Sequence, residues 1–248
     1  MFSDYYLKER LPEFPAWTED PKPAYRRLRE CYRYAAGQVG GKDRHVLGKS
    51  LLVPVLETLG FEVKPGKTSV DRAEEPDYRL HAPMNTTGRG SGRSQGSPLR
   101  AICLAYPWGR SLDGKDDRRD TETPEENPGA RVVSLLEKGE APWAVVTNGK
   151  VYRLYAQRAH SRATNYYEID LEEVLAQAGP QAADVSESFR YFWLLFRRQA
   201  FDPEKIVGLM TLDKLATLAG DESPAVRQLV ATVMSRNAEP KWTDVLIK

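Results

Sequence analysis

The residues best suited to chemistry in this chain are cations without local counter-charge. From Arg79 through Arg110 there are five arginines (Arg79, Arg89, Arg93, Arg100 and Arg110) and no acid. Guanidiniums spaced by Gly and Ser suit contact with phosphate, the sequence-independent part of nucleic-acid binding. Immediately afterwards the sign reverses, and Asp113 to Glu126 carries seven acids against three basic residues. The two stretches can equally well pair with each other, and both outcomes stay open. A second basic strip, Arg26, Arg27, Arg29 and Arg33, lies in an early helical pattern, where a solvated face is the ordinary meaning. Tyr106 and Trp108 have the chemistry for base stacking, against which stands simple packing at a strand end. Other chemistries lack their residues. The three histidines have no ligand spacing, and Cys31 and Cys103 make neither a disulfide framework nor a metal knot. There is no Walker phosphate loop, and no Gly-rich loop follows a strand, so S-adenosylmethionine binding is not expected in this chain.

The elements that must position these groups follow from periodicity. With 248 residues, 41% apolar and 29% charged, the chain can bury a proper core. Its net charge of +1 decides nothing about nucleic acid. No apolar run approaches the roughly 20 residues of a membrane helix, and Met1 to Arg10 is unlike a secretory signal. A cytoplasmic protein without a membrane partner is expected. Tyr25, Leu28, Tyr32 and Ala35 predict an amphipathic helix over 24–36, and a second covers 47–59, stopped by Gly60. Strands are predicted at 61–64, 77–81 and 100–106, with a mobile Gly/Ser/Arg loop over 82–98 between the last two. A charged loop over 112–127 leads to a helix at 130–138. Trp143 to Thr147, Asn148-Gly149 and Lys150 to Tyr155 read as a hairpin, and a third strand follows at 165–169. Helices are predicted at 171–177, 187–198, 212–218 and 225–234. This order implies an α/β (α+β) fold, a mixed sheet flanked by helices. A domain over 1–182 is expected, with a helical tail or connector over 183–248.

Three stretches in this order carry a resemblance: Pro76-Asp77-Tyr78, then Ile102 to Asp113, then Thr147 to Tyr155. With the opening Phe2-Ser3-Asp4-Tyr5-Tyr6-Leu7, the run Pro54 to Phe61, Tyr167 to Leu171 and the Phe-rich segment Phe192 to Phe201, they are similar to the nuclease domain that opens type IIG restriction–modification enzymes and related phage-defence methyltransferases. That domain belongs to the PD-(D/E)xK superfamily, and the resemblance spans roughly residues 2–201. It implies a restriction-endonuclease-like mixed sheet and a Mg²⁺ site in which carboxylates from adjacent strands converge on the ion. A lysine beside them offsets charge in the transition state.

The resemblance also shows what this chain lacks. Asp77 occupies the first carboxylate position and is the one retained catalytic and metal-binding candidate; the alternative is an aspartate at a strand start that bonds nearby backbone. Leu104 stands where the second acid should be, and Tyr106 where the lysine should be. Gly48 sits near the register of a first-helix glutamate that some relatives add, and Gly129-Ala130-Arg131 follows Asn127-Pro128 where relatives often place a glutamine. The resemblance therefore implies a degenerate nuclease domain that binds DNA or serves as an architectural module in a defence system, beside a methyltransferase or other subunit, with no cofactor. One alternative is an active endonuclease with a migrated Mg²⁺ site, Asp77 joined by Glu74, Glu75 or Asp113. Another is a protein-interaction scaffold without DNA affinity.

Overall fold

The computed structural model describes residues 6–36, 44–67, 74–83, 97–157, 159, 163–177 and 185–201. The chain divides into two compact units, Met1–Phe201 and Asp202–Lys248, and all described residues belong to the first. The predicted helices at 212–218 and 225–234 lie outside the described residues, as does nearly all of the loop over 82–98. None of the described helices is long and apolar enough to cross a membrane.

Six strands form one mixed sheet in sequence order: β1 (Glu62–Pro65), β2 (Tyr78–His81), β3 (Leu99–Ala105), β4 (Trp143–Thr147), β5 (Val151–Ala156) and β6 (Tyr167–Asp170). Neighbours are antiparallel except β3 and β4, which run parallel. A parallel pair needs a crossover, and here it is the charged loop followed by a helix, Pro128–Glu137. Numbered in chain order, the helices are α1 (Lys22–Ala36), α2 (Arg44–Leu47), α3 (Val53–Thr58), α4 (Pro128–Glu137), α5 (Leu171–Gln177) and α6 (Glu187–Phe196). A π-type turn at Gly48–Leu52 joins α2 to α3 through helical backbone.

The sequence dictates these elements locally. From Ala101 through Ala105 every residue of β3 is buried, the continuous apolar run of a strand covered on both faces. Its alternation sorts Ile102, Leu104 and Tyr106 onto one face, where they join Val132, Leu135 and Leu136 of α4 and Val146 of β4 in a single cluster. On α1 the spacing places Tyr25, Leu28, Cys31 and Ala35 in the core. Phe192 of α6, predicted to lie in the tail, packs edge-on against Tyr152 of β5, with ring centroids 5.5 Å apart. In the β4–β5 hairpin Asn148 Oδ1 accepts from the N–H groups of Lys150 and Val151. Gly149 has φ 85°, and a Cβ there would meet the Trp108 ring at 2.7 Å. Element boundaries shift from expectation by a few residues at most, and Trp143–Thr147 and Leu171–Gln177 coincide with it.

The loop before α4 is built around Arg110. Its side chain is fully buried, as is that of Asp120, with 2.7 Å between Nε and Oδ2. The remaining guanidinium nitrogens donate to the carbonyls of Ser111, Gly114, Thr123 and Glu126. Arg110 was expected to meet phosphate; it instead ties its own loop from inside, because a guanidinium without solvent must find its acceptors in the protein. Burial raises the Asp120 pKa, but donors from Thr123 and Arg110 outweigh it and hold the carboxyl below the ordinary 3.8. A depressed folded pKa means the contribution is present above that value and lost as pH falls below it. Asp120→Asn should cost about 3–5 kcal/mol at pH 7 by leaving a buried guanidinium uncompensated. In urea titrations the gap between wild type and variant should narrow as the pH drops below about 4, where the unfolded chain's carboxylate takes up a proton that the folded one still resists.

Candidate functional site

Asp77 immediately precedes β2. The antiparallel register pairs Tyr78 with Cys103, so continuing it one residue sets Asp77 across from Leu104, on the same sheet face. From there Asp77 Oδ2 accepts from the backbone N–H of Ala105 at 2.9 Å. Hydrogen bonding to nearby backbone, weighed above as the plainer role of this aspartate, is therefore present.

Two arginines complete its surroundings. Arg44 of α2 donates to Asp77 Oδ1, and Arg131 of α4 donates to Oδ2 at 3.2 Å. The position of Arg131 follows from the start of α4. Asn127 caps the helix by accepting from Gly129 and Ala130, and Pro128 fills the first turn, a combination suited to a helix start. Residue 131 then shares the inward face with Val132 and Leu135, and Arg131 is 5% exposed. Its second terminal nitrogen donates to the Glu75 carbonyl at 2.8 Å, and Glu126 Oε1 lies 3.5 Å from the first. Burial opposes the Arg131 cation, yet the charges of Asp77 and Glu126 hold its pKa above the ordinary arginine value. Glu126 also accepts from the Tyr106 hydroxyl at 2.6 Å. Burial pushes the Tyr106 phenol up, against the pull of Arg131, so Tyr106 is a neutral donor at any physiological pH.

The positions of the second acid and the lysine are interior. Leu104 and Tyr106 both have no exposed surface. Tyr106 is a core residue, with the Arg110 guanidinium 4.9 Å from its ring centre. Trp108 is half-buried and rests on the β4–β5 hairpin, with Lys150 Nζ 5.2 Å from its ring centre. Of the acids named as alternative ligands, Glu75 and Asp113 are occupied elsewhere. Glu75 pairs with Arg79 at 2.7 Å, whose hydrogen bond holds its carboxyl below the usual range. Asp113 pairs with Arg153 at 2.8 Å, and Glu74 is exposed. Among the described residues no group of three or more His, Cys, Asp or Glu side chains is placed to hold a metal ion.

Of the five arginines expected to meet DNA, Arg89 and Arg93 lie outside the described residues. Arg79 is tied to both Glu75 and Glu140, Arg110 is the buried anchor of its loop, and Arg100 is half-buried on β3. Sequence reasoning missed Arg44, Glu126 and the role of Arg131. One signal was available for Arg131, because the Asn-Pro helix start puts it on the apolar face of α4. Arg44 and Glu126 gave none, since each stands in a run of charged residues with nothing to mark it from its neighbours.

No family model, no curated protein and no solved structure matches this chain.

The arrangement is thus a carboxylate with both oxygens engaged by nitrogen donors and two guanidiniums alongside, over a filled apolar face. It cross-links α2, the start of β2, β3 and α4. Asp77→Ala should destabilise the fold by about 3–5 kcal/mol, because the buried Arg131 keeps as its ion pair only the longer 3.5 Å contact with Glu126. Asp77→Asn, which can still accept from the Ala105 N–H, should cost less. Urea denaturation of both variants checks the order, and an Asp77→Ala as stable as wild type would remove the structural role.

Proposed function

We propose that this chain is a nuclease-like fold of the PD-(D/E)xK type that does not cut, serving a restriction–modification or phage-defence system as a DNA-binding or architectural module beside a methyltransferase or other subunit. The observation that carries this reading is the state of Asp77. Its carboxylate is held by Arg44, Arg131 and the Ala105 N–H, while the flanking positions on β3 are the buried Leu104 and Tyr106. The cross-strand placement of Asp77 opposite Leu104 is the relation the family needs between its first acid and its second. Arg131, in the segment after Asn127-Pro128, reaches the same point from the helix.

The residues present do not fit Mg²⁺. That ion asks for near-octahedral oxygen ligation, usually with more than one anionic or phosphate ligand. A divalent cation brought to Asp77 would lie against two guanidiniums, a repulsion that a partly buried setting screens poorly. Leucine offers no lone pair, and the Tyr106 hydroxyl is spent on Glu126.

Cleavage of supercoiled and linear DNA with Mg²⁺ or Mn²⁺, with Asp77→Asn as control, tests the reading. Neither protein should cut. Metal-dependent cutting by the wild type that the substitution abolishes would establish an active site around Asp77 and overturn it. Restoring the motif by Leu104→Glu with Tyr106→Lys should give no nuclease, because two charges placed in a packed core destabilise the fold by several kcal/mol. A double variant with the wild-type thermal midpoint would show instead that these positions open onto solvent.

A further inference from the structure

Among the described residues the arginines near the sheet are largely spent on internal acids, which moves the question of where DNA would sit to another surface. The exposed face of α1 answers it. This helix carries Lys22, Arg26, Arg27, Arg29 and Arg33 against the single acid Glu30, a net +4. The whole chain is +1, so all other residues together sum to −3. One 15-residue helix therefore outweighs the charge of the entire remainder, and an approaching polyanion is drawn to that side and repelled, on balance, from the rest.

The cations on this face are available. Arg26, Arg27 and Arg33 are exposed. Arg27 faces Glu30 only loosely, at 3.7 Å with both side chains more than half exposed, a pair of little energetic weight. Among the described residues neither Arg26 nor Arg33 has an acidic partner. Arg29 differs, since its guanidinium lies over the Tyr25 ring at 5.6 Å. Arg26 and Arg33 are seven residues apart, so they stand almost in line, about 10.5 Å apart along the axis. Beside them Tyr34 is 62% exposed and offers a phenol donor on the same face.

The helix is also fixed in place. Tyr25 donates to the Leu175 carbonyl of α5 and Tyr32 to the Gly149 carbonyl of the hairpin, while Leu28 and Ala35 are fully buried. These contacts exclude a membrane as the intended surface. A helix that lies on lipid inserts its apolar face, and the apolar face of α1 is already in the core.

We infer that the exposed face of α1, through Arg26, Arg27 and Arg33, is a contact surface for the phosphate backbone of duplex DNA, bound without regard to sequence. This inference rests on the DNA-binding reading above and names its interface. A rigid row of guanidiniums that pairs with no base edge positions a duplex and does not read it.

The test is fluorescence anisotropy with a labelled mixed-sequence duplex at salt from 50 to 200 mM. The triple variant R26Q/R27Q/R33Q keeps good helix formers on an exposed face, and circular dichroism verifies the fold. Loss of three phosphate contacts should make the slope of log affinity against log salt shallower by close to 3 and weaken binding at low salt at least about tenfold. A control variant removing three exposed cations elsewhere, K64Q/K115Q/R118Q, should stay within about twofold, as it removes no phosphate contact. No duplex binding by the wild type at 50 mM salt would overturn the DNA-binding reading itself. Wild-type binding that the α1 variant retains, or that the control loses equally, would overturn the α1 interface and leave that reading standing. Tighter binding to phosphatidylserine vesicles than to the duplex would overturn the assignment to DNA.

Discussion

A guanidinium removed from water must be paired, and the centre of this fold is arranged around that constraint. Arg110, Arg131, Arg153 and Arg197 are all buried, and each meets an acid. Arg110 holds Asp120 inside its loop, and Arg131 spans Asp77 and Glu126. Arg153 of β5 grips Asp113 and Glu168 while donating to the Leu112 carbonyl. Arg197, just past α6, forks onto both oxygens of Glu19 near the start of the chain. Apart from Arg153 and Glu168, which face each other across the β5–β6 ladder, these pairs join segments that the backbone ladders do not join. Desolvation opposes such pairs, and replacing a whole pair by apolar groups is often neutral or better. Breaking one side is what costs, so these arginines restrict which arrangements of the loops and helices are tolerated.

The Asp77 cluster is the central member of that set. In a metal-dependent nuclease the carboxylates at a strand junction are neutralised by an ion, and the ion holds the strands as well as activating water. Here the neutralising charge is supplied by two side chains, one from the helix before the sheet and one from the crossover helix. That arrangement is physically self-consistent. An aspartate mostly shielded from water needs a cation, and a guanidinium fixed by helix packing supplies one without leaving a coordination site open. Under the proposed non-cutting reading it also accounts for Leu104 and Tyr106, since a site without an ion would have no use for a wet cleft and could be filled to core density.

Which parts of this were legible follows from the range of the physics. Helices and strands arise from local alternation, and β3, α4 and the Asn148-Gly149 hairpin could be read from periods of two and near four and from one turn dipeptide. The relation of Asp77 to Leu104 came only from the resemblance, because no local period says which residues of two strands stand opposite each other. The destinations of the arginines were not legible, because charge says nothing about burial and the partners are remote: 54 residues separate Arg131 from Asp77, and 178 separate Arg197 from Glu19. The run from Arg79 to Arg110 therefore looked like one basic surface, although its described members divide among a surface pair, a strand and a loop interior.

The same reasoning explains why the basic strip on α1 has a different meaning from the basic run near the sheet. Arginines beside acidic segments find partners when the chain compacts, as Arg110 does with Asp120 of the acidic loop and Arg79 with Glu75 and Glu140. Arginines on the outer face of an isolated amphipathic helix have no such option, since their neighbours at three and four residues are fixed by the helix and only Glu30 is acidic. With Leu28 and Ala35 locked into the core, α1 cannot rotate its charge inward. Its +4 stays on that helix, while among the described residues of the run near the sheet Arg79 and Arg110 are tied to acids of the same chain.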